Sequence, residues 1–157
     1  MTKKELIQLN KVLVELSNFG KTKFKYAILK NIDALKSNIN VLLDVENEIK
    51  KHLATFEESR NNLILKIGKK GEDNSVFIDV KDKEMVLEFN EGLKLLIEEH
   101  KDELDLYNEK MADYQTLLEE DIEGTVVFKT ISVDQLPDED ISITQLEILE
   151  MNGIISE

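Results

Sequence analysis

Between Ile28 and Ile67 apolar residues return in alternating steps of four and three, and no proline interrupts them. The register runs through Ile32, Leu35, Ile39, Leu42, Ile49, Leu53, Phe56 and Leu63, with Glu46 and Arg60 at two of its places. That spacing is a heptad seam. It predicts one helix over 21–67, about 70 Å long at the helical rise per residue. Such a helix cannot bury its stripe alone. A second seam follows at Val86, Phe89, Leu93, Leu96, His100, Leu104, Tyr107, Met111, Tyr114 and Leu118. It predicts a second long helix over 83–119, with one step of four where three is due near His100. Two helices of similar length joined by a modest connection predict an antiparallel hairpin.

The remaining elements are short. Thr2-Lys3-Lys4-Glu5 has the form of a capping box and precedes Leu6, Leu9, Leu13 and Leu16, so a helix over 3–17 is expected, stopped by Asn18 and Gly20. "GKKGEDN" at 68–74 reads as a turn, and "SVFIDVKD" predicts a strand over 75–81. "GTVVFKTISV" predicts a second strand over 124–133. The second long helix spans about 54 Å, so the hairpin holds these two strands apart. Either an antiparallel partner chain brings them together, or they are separate elements. Pro137 and the three acids after it make a loop. Ser142 and Gln145 form a second capping box, opening a helix over 142–151 whose apolar face is Leu146, Leu149 and Ile154 and whose end is Gly153.

The fold class is therefore mainly α, in a single domain over 1–157. It is a long antiparallel helical hairpin with a short N-terminal helix, a small two-stranded β element and a short C-terminal helix. Two long seams on so short a chain leave apolar surface that one copy struggles to cover, which predicts a homo-oligomer.

Composition narrows the chemistry. There is no cysteine, hence no disulfide, thiolate metal site or cysteine nucleophile. No P-loop, Gly-rich dinucleotide turn or nucleophile elbow occurs, and neither His52 nor His100 has a companion at metal-ligand spacing. A seam histidine such as His100 reads as a satisfied polar core residue or a register device. The acids from Glu98 to Asp105 read as a solvated face rather than a cation site, and "EEDIE" at 119–123 lacks the alternating ligands and the glycine of an EF-hand loop. The expectation is a protein that is not an enzyme, with no cofactor and no metal. "MTKKELIQLNK" lacks the apolar core of a signal peptide, and no apolar run approaches the roughly 18 residues of a membrane span. A cytoplasmic protein with no membrane partner is expected.

Charge is the remaining clue. The total is −13, but residues 1–70 carry 14 basic and 8 acidic side chains while residues 71–157 carry 6 and 25. Either a basic half lies along an acidic half, or a basic surface is held for an anionic ligand. The acidic total argues against general nucleic-acid binding. The basic excess is densest in "NFGKTKFKYAILKN", with four lysines, three aromatics and no acid. Phe24, Ala27 and Ile28 belong to the core face there, while Lys21, Lys23, Lys25, Tyr26 and Lys30 surround a helix start with free backbone N–H groups. These five residues are the candidate ligand-binding set, for an anion, a nucleotide phosphate or an acidic protein surface. The alternative is that they neutralise the acidic half. Glu46 and Arg60 are the candidate oligomer seam: they are too far apart to pair within one helix but meet across an antiparallel copy centred near Leu53. Otherwise each faces polar groups on the second long helix.

"FKYAILKN", "FEESRNNLILKIGKKGEDN", "VLEFNEGLKLL" and "ISVDQLPDEDISITQLEILEMNGII", taken in order, resemble a family of small phage and prophage helical proteins. The resemblance covers most of the chain through the order and spacing of elements, with no catalytic signature. It implies a phage-encoded protein working inside a bacterial cell. Two functions then compete. One is a non-catalytic protein that binds a host or phage protein stoichiometrically. The other is an anti-defence sponge that sequesters an anionic small molecule such as a nucleotide immune signal.

Overall fold

The computed structural model describes residues 1–137 and 141–156. The acids expected in the loop after Pro137, namely Asp138, Glu139 and Asp140, lie outside the described residues. The fold is mainly α: α1 (Lys3–Leu16), α2 (Thr22–Lys50), α3 (Ala54–Ile67), α4 (Lys83–Glu99), α5 (Lys101–Leu118) and α6 (Ile143–Met151). Two small sheets accompany them. An antiparallel pair joins β1 (Lys69–Lys70) to β2 (Val76–Phe77), and a parallel pair joins β3 (Ile131–Ser132) to β4 (Ile155–Ser156). The chain forms two compact units, one of Met1–Asp44 with Gln115–Glu157 and one of Val45–Tyr114.

The first unit is built around a mainly apolar core. Leu6, Leu9, Leu13 and Leu16 of α1, Phe24, Ile28 and Leu35 of α2, Ile131 of β3, and Leu149 and Ile154 are all fully buried. The predicted core residues of the basic stretch, Phe24, Ala27 and Ile28, are among its buried residues. Both capping boxes form. The Thr2 hydroxyl accepts from the Glu5 amide at 3.2 Å and Glu5 accepts from the Thr2 amide at 2.8 Å. Ser142 and Gln145 repeat the exchange at 3.2 and 3.0 Å. Gly153, at φ 66°, closes α6 in a Schellman arrangement: its amide donates to Glu150 and the Ile154 amide donates to Leu149, each at 2.9 Å. That reversal carries Ile154 into the core and Ile155–Ser156 alongside β3, so Ile154 belongs to the tail of the chain rather than to the helix face.

The second unit is the hairpin. As residue numbers rise on one arm they fall on the other: Gly92 abuts Leu63, His100 meets Ser59, and Glu46 lies near Tyr114. Each arm predicted as one helix is broken. The first passes through a 3₁₀ turn at Lys51–Leu53, and the second ends at His100, which leaves helical geometry at φ −98° and ψ 20°. An α-helix drifts against a seam spaced at 3.5 residues, and a local tightening or an extra residue restores the register. The two breaks lie about two turns apart along the hairpin. Among its described residues only Ile49, His100 and Tyr114 are buried. His100 is the satisfied polar residue expected: Nδ1 lies 3.2 Å from Glu103, Nε2 lies 3.2 Å from Ser59 Oγ, and the ring stands edge-on to Phe56.

The strands are shorter than the expected ranges. Val76–Phe77 pairs with Lys69–Lys70, inside the segment whose composition predicts a turn, and Ile131–Ser132 pairs with the chain's last described residues. The two predicted strands are separate elements, and most of 75–81 and 124–133 lies outside any ladder. The β1–β2 turn is closed by Asp73, whose carboxylate accepts from the Ser75 hydroxyl at 2.6 Å and the Ser75 amide at 3.0 Å. Those bonds hold its pKa below the ordinary value.

Candidate functional site

The start of α2 is shaped by the turn before it. Gly20 has φ 70°, and a Cβ there would lie 3.0 Å from both Phe24 Cδ1 and Pro137 Cβ. Glycine thus serves the left-handed turn and lets the segment ending at Pro137 approach the helix. The first helical bond runs from the Lys25 amide to the Lys21 carbonyl at 3.0 Å. The amides of Thr22, Lys23 and Phe24 precede it, at the positive end of the helix dipole.

Two hollows flank this helix start. The first, of about 610 Å³, has Lys21, Thr22 and Lys23 on one side and Leu136 and Pro137 on the other, with Asp134 at its wall. The second, of about 360 Å³, has Lys23, Tyr26 and Lys129 together with the hydroxyl residues Thr130, Ser132 and Ser156. They share Lys23 and Gln135. Among the described residues Asp134 is the one acid that lines them, and its carboxylate is engaged by the Ser132 hydroxyl. Tyr26 is 56% exposed, so a ring face is open to solvent beside Lys23.

The structure therefore brings together Lys21, Lys23 and Tyr26. Lys25 and Lys30 line neither hollow. Lys129 joins the set from outside the basic stretch. Its signal in the sequence is weak, a single lysine in a β-branched run, and its place depends on Asn31. This fully buried side chain accepts from the Lys129 amide at 2.6 Å and donates to the Lys129 carbonyl at 3.0 Å.

Ion pairs distinguish two groups of lysines. Lys3 meets Glu120 at 2.8 Å, Lys4 meets Glu119 at 2.8 Å, and the ammonium of Met1 meets Asp121 at 3.2 Å. Backbone bonds between Lys3 and Glu120 and between Ile122 and Met1 fix that seam. Basic and acidic segments thus do complement one another there, and part of "EEDIE" is consumed by it. Among the described residues, Lys21, Lys23, Lys25, Lys30 and Lys129 form no ion pair.

Glu46 and Arg60 are each answered on their own arm. Glu46 pairs with Lys50 at 2.5 Å, and Arg60 with Glu57 at 3.1 Å. The bond and charge of Glu46 raise the Lys50 pKa. Among the described residues no cluster of His, Asp or Glu is arranged to hold a metal, and no helix is long and apolar enough to cross a membrane. Comparison with protein-family models, with curated proteins and with solved structures finds no match.

Proposed function

We propose that this is a phage-encoded, non-catalytic binding protein, and that its ligand is an anionic small molecule of nucleotide type held at the start of α2. One observation carries the reading: Lys21, Lys23 and Lys129, all without ion-pair partners among the described residues, line two adjoining hollows at a helix N-terminus. Hydroxyls of Thr130 and Ser156 supply donors for phosphate oxygens, the first-turn amides supply more, and Tyr26 supplies a face for a base. Binding without turnover fits stoichiometric sequestration, and the resemblance to phage proteins suggests that it takes place inside a bacterial cell.

The test is calorimetry against linear and cyclic nucleotides and inorganic pyrophosphate. Lys23→Ala is expected to weaken the ligand by about tenfold to a hundredfold, the value of one charge-assisted bond. Lys30→Ala, outside the hollows, is expected to change it by less than about twofold. An equal loss from both variants would make the effect one of general charge. Silence across the whole panel would return these lysines to a solvating role.

A second reading concerns a macromolecular partner. The second unit leaves Leu65, Leu87 and Leu95 each at least 60% exposed, and this supports self-association of the chain or docking of a host or phage protein on that unit.

A further inference from the structure

Asn31 is the one buried polar side chain of the first unit among the described residues. Burying an amide costs stability unless both of its ends are bonded. Here both ends bond a single residue, Lys129, 98 positions away in the chain. An N–H and a C=O of one residue, both held by the same neighbour, is what an adjacent β-strand provides. The Asn31 side chain stands in for that strand. Two residues further on the real ladder begins: the Ile131 amide donates to the Ile154 carbonyl at 2.6 Å, and β3 pairs with β4. Packing alone does not call for an amide at this place, since an aliphatic side chain would fill it without the desolvation cost.

The bonded segment is the wall of the second hollow. Lys129, Thr130 and Ser132 line it, and so does Ser156 from the strand that β3 holds. We propose that Asn31 is a positioning residue for the ligand site: it fixes the main chain of Lys129 so that this lysine and Lys23, from distant parts of the sequence, take the same anionic group. The proposal rests on the anion reading above and deepens it. The ligand class becomes one with a compact, multiply charged group, such as a phosphate or pyrophosphate, gripped from two sides.

The experiment is a double-mutant cycle on the full chain, with inorganic pyrophosphate as probe and calorimetry as readout. Lys129→Ala is expected to weaken binding about tenfold or more. Asn31→Ala should do nearly the same, and the double variant should be no weaker than Lys129→Ala alone, because Asn31 acts through Lys129. Amide exchange at Lys129 should accelerate in Asn31→Ala while amides of α3 and α4 keep their wild-type rates. Asn31→Asp keeps the size and the acceptor but places an oxygen against the Lys129 carbonyl. It should lose affinity in the same direction, and it serves as the folded variant if Asn31→Ala unfolds. Losses that add in the double variant, or wild-type affinity in Asn31→Asp, would overturn the role of Asn31 and leave the anion site standing. Absence of pyrophosphate binding by the wild type would overturn both, while the exchange data would still report whether Asn31 holds Lys129.

Discussion

Leu6, Leu9, Leu13 and Leu16 of α1 and Val86, Phe89, Leu93 and Leu96 of α4 have the same kind of spacing and different fates. The first four are fully buried, and the second four are all half-buried. In the first unit α1 shares a core with residues of α2, β3 and α6. In the second, α4 has chiefly α3 to pack against. A heptad pattern states which side chains face a partner; it does not state how many partners close over them. Two helices alone leave the flanks of every seam residue in water, and three or more layers remove it.

The largest expected effect tests that contrast directly. Leu13→Ala should cost about 2–5 kcal/mol, since it removes a fully buried side chain from a closed core. Leu96→Ala should cost less than about half as much, because water already reaches its site. Denaturation followed by residue-resolved amide exchange reads the two units separately. Equal losses would break the comparison and indicate that the second unit's seam is covered in solution.

A smaller effect sharpens the same point. If a second copy covers the hairpin, sedimentation at micromolar concentration should give a mass above 18.1 kDa. Because Glu46 and Arg60 each hold a local partner, Glu46→Arg and Arg60→Glu should each cost under about 1 kcal/mol and should add in the double variant. A double variant milder than either single would instead place the two charges opposite each other across a two-fold axis.

The smallest effect is with pH. Burial raises the Tyr114 phenol above its ordinary pKa, and Glu46 raises Lys50. Both groups bind their protons more tightly when folded. Their contribution is therefore whole below the ordinary values of about 10 and is lost as pH rises through the folded ones. Amide protection in the second unit should decline in that alkaline range, in step with a delayed phenolate absorbance from Tyr114. Phenolate appearing at the ordinary pH would contradict the burial of that ring.

Much of the architecture was legible because it is local. The capping boxes at Thr2 and Ser142 are four-residue chemistry, and the seams need only a periodicity. The β elements were harder to read. Lys69–Lys70 shows no alternation, and its ladder covers two residues, so only the Asp73–Ser75 turn beside it betrays a hairpin. The run 124–133 has strand composition, but Asn31 occupies the place of a neighbouring strand at Lys129. The breaks at Lys51–Leu53 and His100 carry no proline or glycine to mark them in the sequence. Lysines and an aromatic at the start of α2 marked the candidate site. Its far wall, from Lys129 to Pro137, depends on long-range contacts that no spacing reveals.

The first unit is assembled from residues 1–44 and 115–157, with the whole of the second unit threaded between them. Topologically the hairpin is an insertion, and this orders the events of folding. Its contacts join segments that follow one another along the chain, so loop-closure entropy opposes it little. The core around Leu13 and Phe24 must wait for Ile131, Leu149 and Ile154 to be synthesised. During translation α1 and α2 therefore emerge with their apolar faces uncovered, and the interval of greatest exposure to aggregation belongs to the unit that ends up best buried.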